Sequence, residues 1–323
     1  RLDAGPVEAS VVNALNGGVT TVRLSRDRYT EALRYMLYGP AASSLIPAVV
    51  HKAARGDFSA AAEQALLWRI GLVSAASRGL YLAVTCPEDV AWVDDAEAER
   101  LARGTFLGMW RVTDQKAACA AWPKRALDRS FLEPARSDVP VLVLNGEWDP
   151  ATARHHAERM LRGFPNGRLV VIPSAGHWTD GLLGIDPCYA TVLTDFIRLG
   201  DARAVDASCM ERVRRPPFPT DLPAGRVVAM DSAALARFAG RYAVAGKPPM
   251  TMRVAGGRLR ADFPDGGEQT LLPVTPTRFR LQQVPHVLFS FRESGGAVTG
   301  FEAMNGGGPV ETYLRTDSPQ TPE

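Results

Sequence analysis

Two short apolar runs constrain the fold of this chain more than any other feature. They lie at 141–144 within VPVLVLNGEWDP (139–150) and at 169–172 within GRLVVIPSAGHW (167–178). Both are aliphatic and largely β-branched, without polar alternation, as expected of parallel strands covered on both faces. Each ends in turn residues that carry one chemical group. Gly146 opens a turn followed by Asp149, and Ser174-Ala175-Gly176 leads into His177. Between the runs, Ala157, Met160, Leu161 and Phe164 recur at helical spacing, so the unit reads strand–helix–strand. A right-handed crossover brings both strand C-termini to one edge of the sheet. Asp149 and His177 are then expected to be neighbours.

A carboxylate that holds one imidazole nitrogen fixes the tautomer, leaving the other nitrogen to take a proton from a serine hydroxyl. In α/β-hydrolases the order along the chain is Ser, then Asp or Glu, then His, with the serine in a G-x-S-x-G elbow. No such elbow occurs here. Ser174 lacks the glycine spacing and the strand-to-helix setting, and Ser43, Ser44, Ser74 and Ser77 lack flanking glycines. The plainer reading, in which Asp149 closes a turn and His177 is a satisfied loop histidine, holds well for either residue alone and poorly for the pair.

A length of 323 residues points to two or three domains. Hydrophobic residues at 46% and charged residues at 22% are ordinary for a globular protein, and a net charge of +2 is too small to argue for nucleic acid or an anionic surface as partner. No apolar stretch reaches the ~20 residues of a membrane span. The N-terminal residues RLDAGPVEAS show no signal-peptide pattern, and truncation upstream is the expected origin of this start. Nothing requires a metal or organic cofactor, and the oligomeric state is not legible. Cys86, Cys119, Cys188 and Cys209 form no C-x-x-C and allow three connectivities. The layout is most consistent with Cys86–Cys119 and Cys188–Cys209, against the alternative of four buried thiols.

Along the chain, an extended Val/Thr-rich piece (GGVTTVRL) precedes helices from Arg26, over about 46–54, and from Ser59 towards Ser77. Residues 81–86 read as a short strand or extended run before the acidic turn at Glu88 and Asp89. Further helices are expected at about 94–103 and 113–121, and after His177 a helix led by Asp186-Pro187 ends at Gly200. A proline-rich connector follows. Beyond it, seven strand-like runs between 251 and 314, separated by Gly/Pro/Asp turns, read as a small antiparallel sandwich or barrel. His286 stands alone there and is expected to be a solvated strand-end histidine.

LRYMLYGP (33–40), ARGDF (54–58), AVTCPEDV (83–90), CAAWP (119–123), SDVPVLVLNGEWDPAT (137–152), FPNGRLVVIPSAGHW (164–178) and CYATVLTDFIRLGD (188–201), with Cys209, together resemble the secreted α/β-hydrolases of the tripeptidyl-aminopeptidase and proline-iminopeptidase type. The resemblance spans roughly 1–217, and its specific part is the block around Asp149 and His177. It implies a partial α/β-hydrolase, comprising a helical cap (1–135) and the last βαβ unit of a parallel sheet (136–217). A proline-rich linker (218–230), a C-terminal all-β domain (231–316) and a disordered tail (317–323) complete the expected layout.

The resemblance further implies that Asp149 is the triad acid and His177 the base. Both disulfide pairs are consistent with it, as is export to a secreted or periplasmic location. Glu88 and Asp89 occupy a cap position suited to a substrate's ammonium group, since carboxylates accept charge-assisted hydrogen bonds; a plain polar turn is the competing reading. The family's oxyanion loop, nucleophile elbow and earlier strands are expected upstream of residue 1, and the proline usual after the Asp-Pro is lost in DPATARH. The all-β part is atypical of the peptidases and looks like the small accessory domain sometimes appended to serine hydrolases and penicillin-binding-type enzymes. The expected function is the C-terminal portion of an exported serine aminopeptidase acting on small peptides, with this chain alone inactive. An esterase on the same fold and a non-catalytic hydrolase-like binding protein are the alternatives.

Overall fold

The computed structural model describes residues 1–75, 77–123, 125–219, 222, 227–263, 267–306 and 310–317. The chain opens on an antiparallel hairpin of β1 (Val7–Val12) and β2 (Val19–Leu24), with Val12 opposite Val19. Only the second strand was legible as extended. Helix α1 (Arg26–Met36) starts where the Ser25 side chain accepts the Arg28 N–H, satisfying one of the unpaired donors of the first turn. It is followed by α2 (Pro40–Ser43), α3 (Ile46–Ala54) and α4 (Ser59–Ala75). Val11, Leu24, Leu33, Met36, Leu45 and Val49 meet Ala60, Ala61 and Ala62 of α4 in one core. The small alanine side chains let α4 approach the hairpin closely.

Residues 81–86 are not extended. They lie within helix α5 (Arg78–Glu88), capped by the Ser77 hydroxyl accepting the Leu80 N–H. The run Leu82-Ala83-Val84-Thr85 looks strand-like locally, but Leu82 and Cys86 are one helical turn apart and share a buried face with Cys119. That face is closed by the Cys86–Cys119 disulfide to helix α7 (Trp110–Ala121), with α6 (Asp95–Ala102) between them in the chain.

The expected strand–helix–strand unit is present as β3 (Val141–Gly146), α8 (Arg154–Leu161) and β4 (Gly167–Ile172). The strands pair in parallel, Val141 opposite Gly167 through Gly146 opposite Ile172. Helix α9 (Ile185–Leu199) buries Ile185, Cys188 and Val192 against Val170 and Ile172, and Cys188 is bonded to Cys209. Both expected cysteine pairs are therefore disulfides.

After short helix α10 (Ser232–Ala236) come β5 (Gly240–Ala243), β6 (Met250–Ala255), β7 (Arg258–Phe263), β8 (Gly267–Pro273), β9 (Arg278–Leu281), β10 (Val287–Ser294), β11 (Ala297–Asn305) and β12 (Val310–Arg315). Each pairs with its sequence neighbours, and β12 closes onto β5 through Leu314–Ala243 and Arg315–Tyr242, giving an eight-stranded up-and-down barrel. Eight strands leave an interior just wide enough for side chains. Tyr242, Met252, Leu259, Phe279, Phe289 and Phe301 fill it, with Leu235 from α10 and Phe238 from just after it.

The four-residue strand β5 had no counterpart in the sequence reading, because GRYA is too short to show alternation. His286 is not a solvated strand-end residue: it is half-buried, and its Nδ1 is shielded from solvent with no hydrogen-bond partner among the described residues. Much of the expected 218–230 linker, and the expected disordered tail beyond Asp317, lie outside the described residues.

Candidate active site

The parallel pairing of β3 and β4 brings their C-terminal turns together. Glu147 N–H donates to the Ile172 carbonyl at 3.1 Å and Trp148 N–H to the Ala175 carbonyl at 2.9 Å. The Glu147 carboxylate accepts the Ser174 N–H at 2.8 Å. Gly146 has no room for a Cβ because the Gly176 carbonyl packs against it, and Gly176 is itself pressed onto the carbonyls of Leu37 and Tyr38. These close approaches seat the His177 turn between β3 and the segment that follows α1.

Within this frame Asp149 and His177 meet. His177 Nδ1 lies 3.0 Å from Asp149 Oδ2. The Asp149 side chain is 4% exposed and that of His177 35% exposed, so the acid is enclosed while the imidazole is open to approach. Asp149 is also held from its own turn. Oδ1 accepts the N–H groups of Ala151 (2.8 Å) and Thr152 (2.9 Å), and Oδ2 accepts the Thr152 hydroxyl at 2.6 Å. Burial by itself raises the Asp149 carboxyl; the bonds from Thr152, His177 and Ala151 outweigh it and hold the group below the ordinary carboxylate value of 3.8. An ionised, fully solvated-by-protein carboxylate on Nδ1 favours the tautomer with its proton there, which leaves the Nε2 lone pair free. Among the described residues no protein group hydrogen-bonds Nε2.

Sequence reasoning missed the surroundings of this pair. Tyr38 meets the His177 ring edge-on at 5.3 Å, and its carbonyl accepts the Trp178 N–H at 2.7 Å. Trp178 stacks on Trp68 of α4 (5.6 Å, 19°), and Trp68 stacks on Tyr35 (5.4 Å, 20°). Arg34 bonds the Tyr38 hydroxyl at 3.0 Å. Nothing in the sequence pointed Trp68, over a hundred residues before His177, at the same place. Thr152 could have been found from the D-x-x-T pattern of an Asp that bonds its own turn.

Glu88 ends α5 and Asp89 follows as its cap, with its N–H donating to the Thr85 carbonyl. No hydrogen bond, ion pair or ring contact among the described residues joins either carboxylate to the His177 turn. Among the described residues there is also no cluster of three or more His, Cys, Asp or Glu able to hold a metal ion, and no helix long and apolar enough to cross a membrane.

A family model described as "TAP-like protein" matches residues 105–209, which include β3, Asp149, β4, His177 and both cysteines of the Cys188–Cys209 bond. The matched segment is similar to α/β-hydrolases of the TAP type. Two curated relatives, the tripeptidyl aminopeptidases of Streptomyces coelicolor and Streptomyces lividans, are each 27% identical to this chain over 136 residues. The alignment takes in 40% of this chain and 25% of each relative, so the chain spans about a quarter of the length of the curated relatives it matches. The matched segment ends at Cys209, before the β-barrel begins.

Proposed function

We propose that Asp149 and His177 are the acid and base of a Ser-His-Asp hydrolase that releases short peptides from peptide N-termini, with the serine supplied by a segment outside this chain. The observation that carries the reading is the 3.0 Å bond between His177 Nδ1 and an enclosed, multiply bonded Asp149 carboxylate, with Nε2 bonded to no protein group among the described residues. In this reading the serine Oγ attacks the scissile carbonyl while Nε2 takes its proton. His177 then passes that proton to the leaving amine, and water repeats the sequence to release the acyl group. Asp149 stays ionised throughout and stabilises the imidazolium by proximity.

The names of the Streptomyces relatives support a peptidase acting at N-termini. Helices α1 to α7 serve as a cap over the site, and Glu88 and Asp89 are our candidates for the residues that meet the substrate's ammonium group. The two disulfides support export, because such bonds persist in oxidising compartments. The test is hydrolysis of N-terminally unblocked tripeptide anilides by the natural full-length polypeptide. His177→Ala is expected to lower kcat/KM by about 10⁴-fold or more, and turnover equal to wild type contradicts the assignment. Glu88→Gln and Asp89→Asn are expected to raise KM for unblocked substrates and leave N-acetylated ones unaffected.

A further inference from the structure

The β-barrel and the Asp149–His177 pair are joined by a continuous run of contacts through α2. Arg280 of β9 makes a bidentate ion pair with Glu63 of α4 at 2.7 and 2.8 Å, both side chains almost wholly enclosed. Gln282 donates to the Ala14 carbonyl at the hairpin tip (2.8 Å) and accepts from Arg258 (2.9 Å). These contacts fix one wall of the barrel against α4 and the β1–β2 hairpin. Beside them, Gly306 follows β11 and faces α2. A Cβ on Gly306 would lie 3.0 Å from the Ala41 carbonyl oxygen and 3.1 Å from the Ser44 hydroxyl.

On its other side, the same segment holds the His177 turn. Ala41 N–H donates to the Asp180 carbonyl at 3.1 Å, Trp178 N–H donates to the Tyr38 carbonyl, and Gly176 packs on the Leu37 and Tyr38 carbonyls. The Tyr38 ring is in edge contact with His177. Close-packed interiors pass on displacements of a few tenths of an ångström instead of absorbing them.

We propose that the β-barrel is a positioning element of the hydrolase: by bearing on α2 it fixes the 37–44 segment on which the His177 turn is seated. The inference rests on the proposed acid–base role of Asp149 and His177. It gives the barrel a task that needs no pocket of its own, in keeping with an interior filled by side chains. Gly306, Arg280 and Glu63 are positioning residues, and none of them touches the reacting atoms. A misplacement of about 1 Å at a reacting group costs about 10²-fold in rate, so small shifts of the His177 turn are measurable.

The experiment compares Gly306→Leu with Gly295→Leu. Both glycines have nearly the same positive φ (+59° and +58°), but Gly295 has nothing within 4 Å, so its variant carries the same backbone strain without the push on α2. The first readout is the imidazole ¹H–¹⁵N spectrum of the full chain labelled at its five histidines. The second is kcat and KM in the natural polypeptide. Gly306→Leu is expected to shift or broaden the His177 Nδ1–H signal and to lower kcat about 10-fold or more with KM little changed, whereas Gly295→Leu matches wild type. The neutral double variant Glu63→Gln/Arg280→Gln, which loosens the barrel contact without a steric push, is expected to move both readouts the same way. A Gly306→Leu spectrum and kcat equal to those of Gly295→Leu overturn the positioning role. A wild-type spectrum with no Nδ1–H signal for His177 overturns the acid–base reading itself, so the two failures are distinct.

Discussion

The barrel and the β3–β4 pair use strands in opposite ways. In the barrel every strand is bonded on both edges, and alternate residues enter an interior packed with rings such as Phe238 on Phe279 at 4.9 Å. Neighbouring strands pair with one another around the whole barrel, and buried side chains occupy its interior. Strands β3 and β4 pair with each other along one edge among the described residues, and most of their side chains are half-buried on both faces. Their chemistry sits in the turns beyond the strand ends, where Asp149 and His177 are held by turn backbone instead of by the ladder. Closure favours stability, and open strand ends leave loops free to present charged groups.

The sharpest way to break this contrast is at Asp149. Asp149→Asn keeps the shape but favours the wrong imidazole tautomer, and turnover of the natural polypeptide is expected to drop by about 10⁴-fold while the melting temperature changes little. A comparable loss of activity from a barrel-interior substitution that leaves stability intact would dissolve the distinction. Next in size is the ion pair joining the two regions. Glu63→Gln removes the carboxylate that holds the buried Arg280 guanidinium at two points and is expected to cost up to about 3–5 kcal/mol in denaturant unfolding, whereas the apolar pair Glu63→Leu/Arg280→Met is expected to recover most of that loss.

The disulfides come third. They close loops with sequence separations of 33 and 21 residues, and removing either by paired Cys→Ser substitution is expected to cost about 3–4 kcal/mol by calorimetry.

The smallest effect is a pH dependence at the junction. Burial pushes the His286 imidazole down from 6.5 to about 4, in a cavity it shares with Glu63, Gln64 and Arg280. The unfolded chain therefore takes up a proton between those values that the folded chain refuses, so His286 lowers stability as pH falls from about 6.5 towards 4. His286→Gln is expected to flatten that limb of a stability–pH profile. The depressed carboxyl of Asp149 acts lower, its contribution being lost as pH falls through and below the ordinary carboxylate range.

The parallel strands, the Asp149–His177 meeting and the cysteine pairing were legible because each follows from local pattern or chain order. Aliphatic runs without alternation, Gly-rich turns at their ends and a crossover of fixed hand determine that geometry. Helix α5 was not legible, because its apolar face is defined by Cys119 on another helix. The barrel was half legible. Its short strand-like runs between Gly/Pro/Asp turns stood out, but closure depends on the four residues of β5, and the burial of Arg280, Gln282 and His286 depends on partners more than two hundred residues earlier in the chain. The aromatic surroundings of His177 escaped for the same reason, since Tyr38, Trp68 and Trp178 converge only after folding.

The central claim is that His177 activates a serine that this chain does not itself carry in an elbow. The most direct measurement is labelling of the natural full-length polypeptide with a fluorophosphonate, followed by mass-spectrometric mapping of the adduct. The account predicts stoichiometric modification of one serine outside residues 1–323, abolished by His177→Ala and strongly slowed by Asp149→Asn. Labelling that persists unchanged in His177→Ala, or that maps to a serine within these residues, would contradict it.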